Sequence, residues 1–228
     1  EHIIALLRRH GFDDIVVTVA FLANVIKTHF GDGSEFGVRL RYAHETTPLG
    51  TAGSVANARA MLDETFLVIS GDVITDIDLT RLVALHDERR ALATIALTRV
   101  DNPLDFGVVI TRGDGSVERF LEKPTWGQVF SDTVSTGIYV LQRSILDGIE
   151  ADRSVDFSND VFPRLLRDGS TVVGAVSDGY WEDVGTVKAY VRAHIDALDG
   201  RGELSIPGFR VANDVWLGEG VELSPGAV

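Results

Sequence analysis

Residues 15 to 42 read IVVTVAFLANVIKTHFGDGSEFGVRLRY, and the fold class is decided there. Ile15 to Val19 is a short β-branched run of the kind found in strands buried on both faces. Phe21 to Phe30 follows with helical spacing and stops at Gly31-Asp32-Gly33, and Val38 to Tyr42 alternates as a second strand. A strand, a helix of that length and another strand form a crossover unit whose strands run parallel.

Outward from this unit the texture persists. Upstream, Ile3, Ile4, Leu6 and Leu7 mark a helix over the first ten residues, closed by Gly11. Downstream, helical patterns over Ser54 to Leu62 and Leu79 to Arg90 alternate with strands at Phe66 to Ile69 and Leu92 to Leu97. The expected class is α/β: a doubly wound, mostly parallel sheet with helices on both faces. Past residue 100, Val108 to Thr111, the turn Arg112-Gly113-Asp114-Gly115, Val117 to Leu121 and Ser135 to Leu141 read as a hairpin insertion on that sheet. Helices at Ser144 to Ile149, Asp160 to Leu166 and Val187 to Leu198, with a strand at Thr171 to Val176, complete a domain over residues 1 to 200. In 201 to 228 a period of six emerges, Val211, Leu217, Leu223 in one phase and Val215, Val221, Ala227 in another, with Gly218, Gly220 and Gly226 at turns, as where a β-helix starts.

Composition bounds the function. With 228 residues, 45% of them apolar, one large core is the prior. A formal charge of -13 disfavours nucleic acid as a partner. No run of eighteen apolar residues and no leader pattern is written in the chain, so no membrane partner is expected. Zero Cys removes disulfide and thiolate-metal chemistry and fits the cytoplasm.

Four short stretches can carry chemistry. Pro48-Leu49-Gly50-Thr51-Ala52-Gly53-Ser54 lies between a strand and a helix, where glycines let backbone N–H groups approach an anion; the alternative is an ordinary turn capped by Ser54. Gly71-Asp72 follows a buried strand, which puts a carboxylate at the sheet edge where ligands of this class bind, and a turn acid is the alternative. Glu122-Lys123-Pro124 ends a strand at its rim, or is a solvated pair. Asp183 in Trp181-Glu182-Asp183-Val184-Gly185-Thr186 precedes a helix, as a metal ligand or as a helix-start acid. Asp76-Ile77-Asp78 is a rival metal pair, with Asp78 better placed as a helix N-cap. No His spacing suits zinc and no G-x-S-x-G elbow is present.

In order, Glu45-x-x-Pro-Leu-Gly-Thr-Ala-Gly-Ser, Ile69-Ser-Gly-Asp72, Phe106-Gly-Val-Val, Phe120-Leu-Glu-Lys-Pro, Ser135-Thr-Gly-Ile-Tyr and Tyr180-Trp-Glu-Asp-Val-Gly resemble the sugar-1-phosphate nucleotidyltransferases, with bacterial mannose-1-phosphate guanylyltransferases of the actinobacterial kind the nearest likeness. The resemblance implies transfer of a nucleotidyl group from a nucleoside triphosphate, GTP favoured, to a sugar 1-phosphate, with release of pyrophosphate. It implies that Gly50, Thr51 and Gly53 receive the nucleotide. Asp72 and Asp183 would hold Mg2+, Lys123 the sugar phosphate, and Gly107, Glu122, Thr136 and Gly137 the sugar. A homo-oligomer would form through the β-helix of a longer parent. Ser135 stands where many members have Asn. The family's opening strand, Gly-x-Gly-Thr-Arg-Leu phosphate loop and Pro-Lys-Pro lysine would precede Glu1. That strand would lie between Ile15–Val19 and Phe66–Ile69, so the 228-residue chain alone is expected to be inactive and poorly stable. Rival readings are a glucose-1-phosphate thymidylyl- or uridylyltransferase, a glycosyltransferase using Asp76 and Asp78, and a non-catalytic regulatory subunit of the same fold.

Overall fold

The computed structural model describes residues 1–125, 127, 131–212, 215–222, 224 and 226. Helix α1 (His2–Arg9) leads into β1 (Asp14–Val19), α2 (Ala23–Phe30) and β2 (Arg39–His44), and β1 pairs with β2 in parallel from Asp14 opposite Arg39 to Val19 opposite His44. Then come α3 (Gly50–Asn57), β3 (Thr65–Ile69), β4 (Val73–Thr75), α4 (Leu79–Arg89) and β5 (Ala93–Arg99). The hairpin β6 (Gly107–Thr111) and β7 (Val117–Glu122) precedes the long β8 (Thr133–Gln142). A 3-10 stretch at Arg143–Gly148 and a π-helical turn at Phe157–Val161 lead into α5 (Phe162–Arg167), β9 (Val172–Val176), β10 (Trp181–Asp183) and α6 (Val187–Leu198).

The main sheet runs β7-β6-β8-β5-β9, with β3 also on β8. It is mixed, which corrects the expectation of a mostly parallel sheet: β8 is antiparallel to β3, β5 and β6, and only β5 and β9 pair in parallel within it. The reason is the hairpin. An excursion through β6 and β7 returns the chain reversed, and β8 enters the middle of the sheet rather than decorating its edge. A strand buried on both faces carries the same apolar signature in either direction.

Alternation along β5 and β8 divides the core. Ile95, Leu97, Tyr139 and Leu141 face one layer with Ala52, Phe157, Phe162 and Leu165. Ala96, Ile138 and Val140 face the other, with Leu6 and Leu7 of α1 and Leu79 and Leu82 of α4. Helices thus cover both faces, as period-two burial requires. Asp78 caps α4 by accepting from the Arg81 amide at 3.0 Å.

Strands β1 and β3 do not pair with each other among the described residues. Between them lies a cavity of about 280 Å³, walled by Ile15, Val16 and Thr18 on one side and Phe66, Leu67 and Val68 on the other, with Leu7 and Phe12 on one face and Val55 and Ala58 on the opposite face. In the tail, β11 (Phe209–Ala212) and β12 (Val215–Leu217) form an antiparallel pair. Leu223 and Ala227 of the six-residue period lie outside the described residues.

Under α4, His86 is 1% exposed. Its Nδ1 meets Thr94 Oγ1 at 3.0 Å, and its Nε2 meets the Gln142 amide nitrogen, a donor, at 2.9 Å. The second contact needs an unprotonated Nε2. Burial pushes the imidazole below its ordinary value of 6.5, against the weaker pull of Asp87. Below pH 6.5 the unfolded chain takes up a proton that the folded chain refuses, so this contribution to stability is present at neutral pH and is lost as the pH falls. Urea unfolding of His86→Gln between pH 7.5 and 5 is expected to show a flatter acid decline than the native chain; parallel curves would contradict the assignment.

Candidate active site at the β8 bulge

β8 changes neighbours partway along its length. Val134 pairs with Val108 of β6, whereas Ile138 to Gln142 pair with β3, and the register against β5 shifts between the Ile95 and Leu97 positions. The irregularity falls between Ser135 and Tyr139, on Thr136-Gly137-Ile138. Gly137 sits at φ +75°, and a Cβ there would lie 2.5 Å from Ser70 Oγ, so both conformation and space demand glycine.

Two consecutive carbonyls at the bulge hold the two acid-bearing segments. Gly137 O accepts from the Ser70 amide at 3.0 Å, two residues before Asp72. Thr136 O accepts from Trp181 Nε1 at 2.9 Å, two residues before Asp183. The segments then zip together: β4 and β10 pair antiparallel with Asp183 opposite Val73, and the Val184 amide donates to Asp72 O at 2.9 Å. The backbones of Asp72 and Asp183 are therefore diagonal neighbours at one end of this ribbon. Asp183 Oδ1 also accepts from the Gly185 amide at 2.9 Å. Its neighbour Glu182 is held toward the protonated form by burial, opposed by Arg192.

The Asp76-x-Asp78 pair is otherwise engaged. Asp76 accepts from the Tyr180 and Glu203 amides at 2.7 and 3.2 Å, and Asp78 caps α4. Among the described residues no group of three or more His, Asp or Glu is placed to hold a metal ion.

The sugar-side residues gather on the other flank. Gly107 is paired with Glu122, and a Cβ on Gly107 would meet Glu122 Oε2 at 2.9 Å and the Phe120 ring at 2.8 Å. Burial, and next the charge of Asp156, raise the Glu122 carboxyl above its ordinary value, while Lys123 and a hydrogen bond from Ser158 work the other way. Phe106, just before Gly107, packs edge-on against Trp181 with ring centres 5.4 Å apart, joining this flank to β10. Lys123 is exposed, in the left-handed region at φ +41°, with its amide bonded to Phe106 O at 3.1 Å. Thr136 is 1% exposed, its hydroxyl donates to Ala96 O at 2.8 Å and its carbonyl is taken by Trp181, so its place here is to hold the bulge. Ser135 Oγ lies 3.3 Å from the Tyr139 hydroxyl, whose pKa burial has pushed up to about 12.

The glycine-rich stretch departs from its sequence reading. Helix α3 begins at Gly50, not Ser54, so Gly50 to Gly53 form its first turn. Leu49 is the N-cap residue, and Ser54 Oγ donates back to Gly50 O at 2.6 Å instead of capping. The Ala52 and Gly53 amides both donate to Val155 O, at 2.9 and 3.0 Å. A Cβ on Gly50 would meet Val155 O at 2.6 Å, and one on Gly53 would meet Arg153 O at 2.7 Å. These glycines are small so that segment 153–155 can cross the helix start. Sequence reasoning missed Asp156 and Ser158. The signal was an Asp preceding a helical run, since Asp156 Oδ1 accepts from the Ser158 and Asn159 amides at 2.9 and 3.1 Å as an N-cap.

A mixed sheet flanked by helices, with two acids at one end of a ribbon and a half-buried Glu beside an exposed Lys at the end of β7, is the architecture of an α/β domain with a candidate site at its sheet edge. Residues 1–200 match the family model described as "Nucleotidyl transferase". The chain is 35% identical to a Synechocystis UTP–glucose-1-phosphate uridylyltransferase, covering 96% of this chain and 60% of that protein. It is 34% identical to a Mycobacterium tuberculosis mannose-1-phosphate guanylyltransferase, covering 99% of this chain and 67% of that protein. The fold is shared with HddC from Yersinia pseudotuberculosis, TM-score 0.72 over 83% of this chain and 80% of that one at 22% identity. A Bacillus anthracis chain solved with a sucrose gives TM-score 0.78 over 90% and 82%, at 23% identity. The chain belongs to the nucleotidyl transferase family. It spans about 60% of the length of the first of these curated relatives and 67% of the second.

Proposed function

We propose that the protein of which this chain is part transfers a nucleotidyl group from a nucleoside triphosphate to a sugar 1-phosphate, giving a nucleotide sugar and pyrophosphate, with GTP and mannose 1-phosphate as the pair. The carrying observation is that the β4–β10 pairing brings the backbones of Asp72 and Asp183 to one end of a ribbon, joined through Phe106 and Trp181 to the flank formed by Gly107, Glu122 and Lys123. The reaction is an attack by the sugar phosphate oxygen on the α-phosphorus, with pyrophosphate leaving. It brings anions together, so positioning and positive charge are what a protein must supply. Carboxylates are hard oxygen donors of the kind that suit Mg2+, and Asp72 and Asp183 would hold it. When bound, the ion would neutralise charge on the phosphates. Lys123 would meet the sugar phosphate. Glu122, beside backbone left open by Gly107, would accept from sugar hydroxyls, and Gly137 would keep the bulge close to them. Gly50, Thr51 and Gly53 would border the nucleotide.

Mannose and guanine are favoured because guanylyltransferases recur among the relatives, in Mycobacterium tuberculosis and in Oryza sativa at 32% identity over all of this chain. The Synechocystis relative supports the uridylyl alternative. No described helix is long and apolar enough to cross a membrane, and a cytoplasmic enzyme that associates through a β-helix in the longer parent completes the reading. The test is pyrophosphate release from GTP, UTP, dTTP and ATP against mannose, glucose and N-acetylglucosamine 1-phosphates with Mg2+. Fastest turnover with GTP and mannose 1-phosphate is expected; a uridine–glucose optimum would move the protein to the alternative, and no turnover with any pair would favour a regulatory subunit.

A further inference from the structure

Thr51 and Asp156 lie more than a hundred residues apart in sequence and meet at the start of α3. Thr51 Oγ1 donates to Asp156 Oδ2 at 2.7 Å and accepts from the Phe157 amide at 2.9 Å. The other carboxylate oxygen, Asp156 Oδ1, accepts from the Ser158 and Asn159 amides at 2.9 and 3.1 Å. Asp156 so caps the turn Phe157–Val161, which packs against β7, the strand that ends in Glu122. One carboxylate therefore touches the first turn of α3 with one oxygen and, with the other, caps the turn packed beside the Glu122 strand. The packing around it is tight, because Gly50 and Gly53 have no room for a Cβ against segment 153–155.

We propose that Asp156 is a positioning residue that locks the nucleotide-side helix α3 to the sugar-side flank, so that ordering either one orders the other. Which substrate lies on which side rests on the nucleotidyltransferase reading; the lock itself does not. A hydrogen bond to a charged group is among the stronger kinds, and its loss on one side loosens the partner left behind. Asp156 also adds negative charge beside Glu122, so its neutralisation lowers the proton affinity of that carboxyl.

Thr51→Val keeps the shape and removes the hydroxyl, Thr51→Ser restores it, and Asp156→Asn keeps an N-cap acceptor while removing the charge. In native-state amide exchange of the full chain, Thr51→Val is expected to speed exchange at Ser158 and Asn159 by about tenfold, while Thr51→Ser leaves them unchanged. In kinetics with GTP and mannose 1-phosphate, Thr51→Val is expected to raise KM for the sugar phosphate as well as for the nucleotide, and the double variant to be no worse than the worse single one. The acid limb of the pH profile for sugar-phosphate KM is expected to move to lower pH in Asp156→Asn. Unaltered exchange at Ser158 and Asn159 in Thr51→Val would overturn the lock, as would additive effects in the double variant. If the native chain turns over neither substrate, the functional reading fails, and the exchange measurement decides the lock alone.

Discussion

Asp72→Asn and Asp183→Asn are each expected to lower Mg2+-dependent pyrophosphate release by about a thousandfold, the scale of losing a preorganised electrostatic contact at the reacting centre. The amide is nearly isosteric with the acid, so the fold should persist. Asp72 is exposed, and Asn at 183 can still accept from the Gly185 amide. Because both acids are assigned to one ion, the double variant should fall no further than the worse single one. Asp78→Ala supplies the contrast: it removes the cap of α4, costing about 1 kcal/mol of stability, with turnover intact. Native-like turnover in both Asn variants, or abolition by Asp78→Ala alone, would return the metal to the Asp76–Asp78 pair and sink the proposed site.

Fusing an apolar five-residue strand, followed by a Gly-x-Gly-Thr-Arg-Leu loop, ahead of Glu1 is expected to raise both stability and turnover. The cavity between β1 and β3 has strand edges for walls and apolar helix faces above and below, so it offers an extended segment both hydrogen-bonding edges and burial. Ordering the segment costs about 1–2 kcal/mol per residue, roughly offset by burial of its own side chains at about 1.5–3 kcal/mol each. The net gain is then the completed burial of the half-buried Ile15, Val16, Phe66 and Val68. At about 1 kcal/mol apiece that is about 4 kcal/mol, or roughly 8–16 °C in Tm. Slower amide exchange along Asp14–Val19 and Thr65–Ile69 should accompany the rise. An unchanged Tm with both strands exchanging as before would show that the cavity does not take a strand.

Much of the fold was legible because periodicity and punctuation agreed. Ile15 to Val19, Phe21 to Phe30 and Val38 to Tyr42 form the strand, helix and strand expected, with shifts of one or two residues at their ends. Direction was not legible. Val134, Ile138, Val140 and Leu141 are buried on both faces whether β8 runs with or against its neighbours, and nothing local records that the hairpin before it has turned the chain around. The start of α3 was misplaced because two glycines within a few residues signal a loop by propensity. Here tertiary contact overrides it, since Arg153 and Val155 carbonyls occupy the space that Cβ atoms would need. The candidate acids were visible as residues after strands. What joins them was not, because Trp181 Nε1 to Thr136 O and the Ser70 amide to Gly137 O are long-range contacts through main-chain carbonyls, which any residue type could have supplied.

The bulge has a bearing on how this architecture tolerates change. Thr136 and Gly137 are consecutive, so their anchoring carbonyls belong to residues whose Cα atoms are about 3.8 Å apart, a length fixed by covalent geometry. The spacing of Asp72 and Asp183 is gauged by that rung together with the β4–β10 pairing, not by the chain of more than a hundred residues between them. Loops can therefore lengthen, shorten or be exchanged anywhere between Asp72 and Asp183, outside the β8 rung itself, without recalibrating the distance between the acids. Diversification of substrate choice can proceed in that intervening chain while the gauge stays constant.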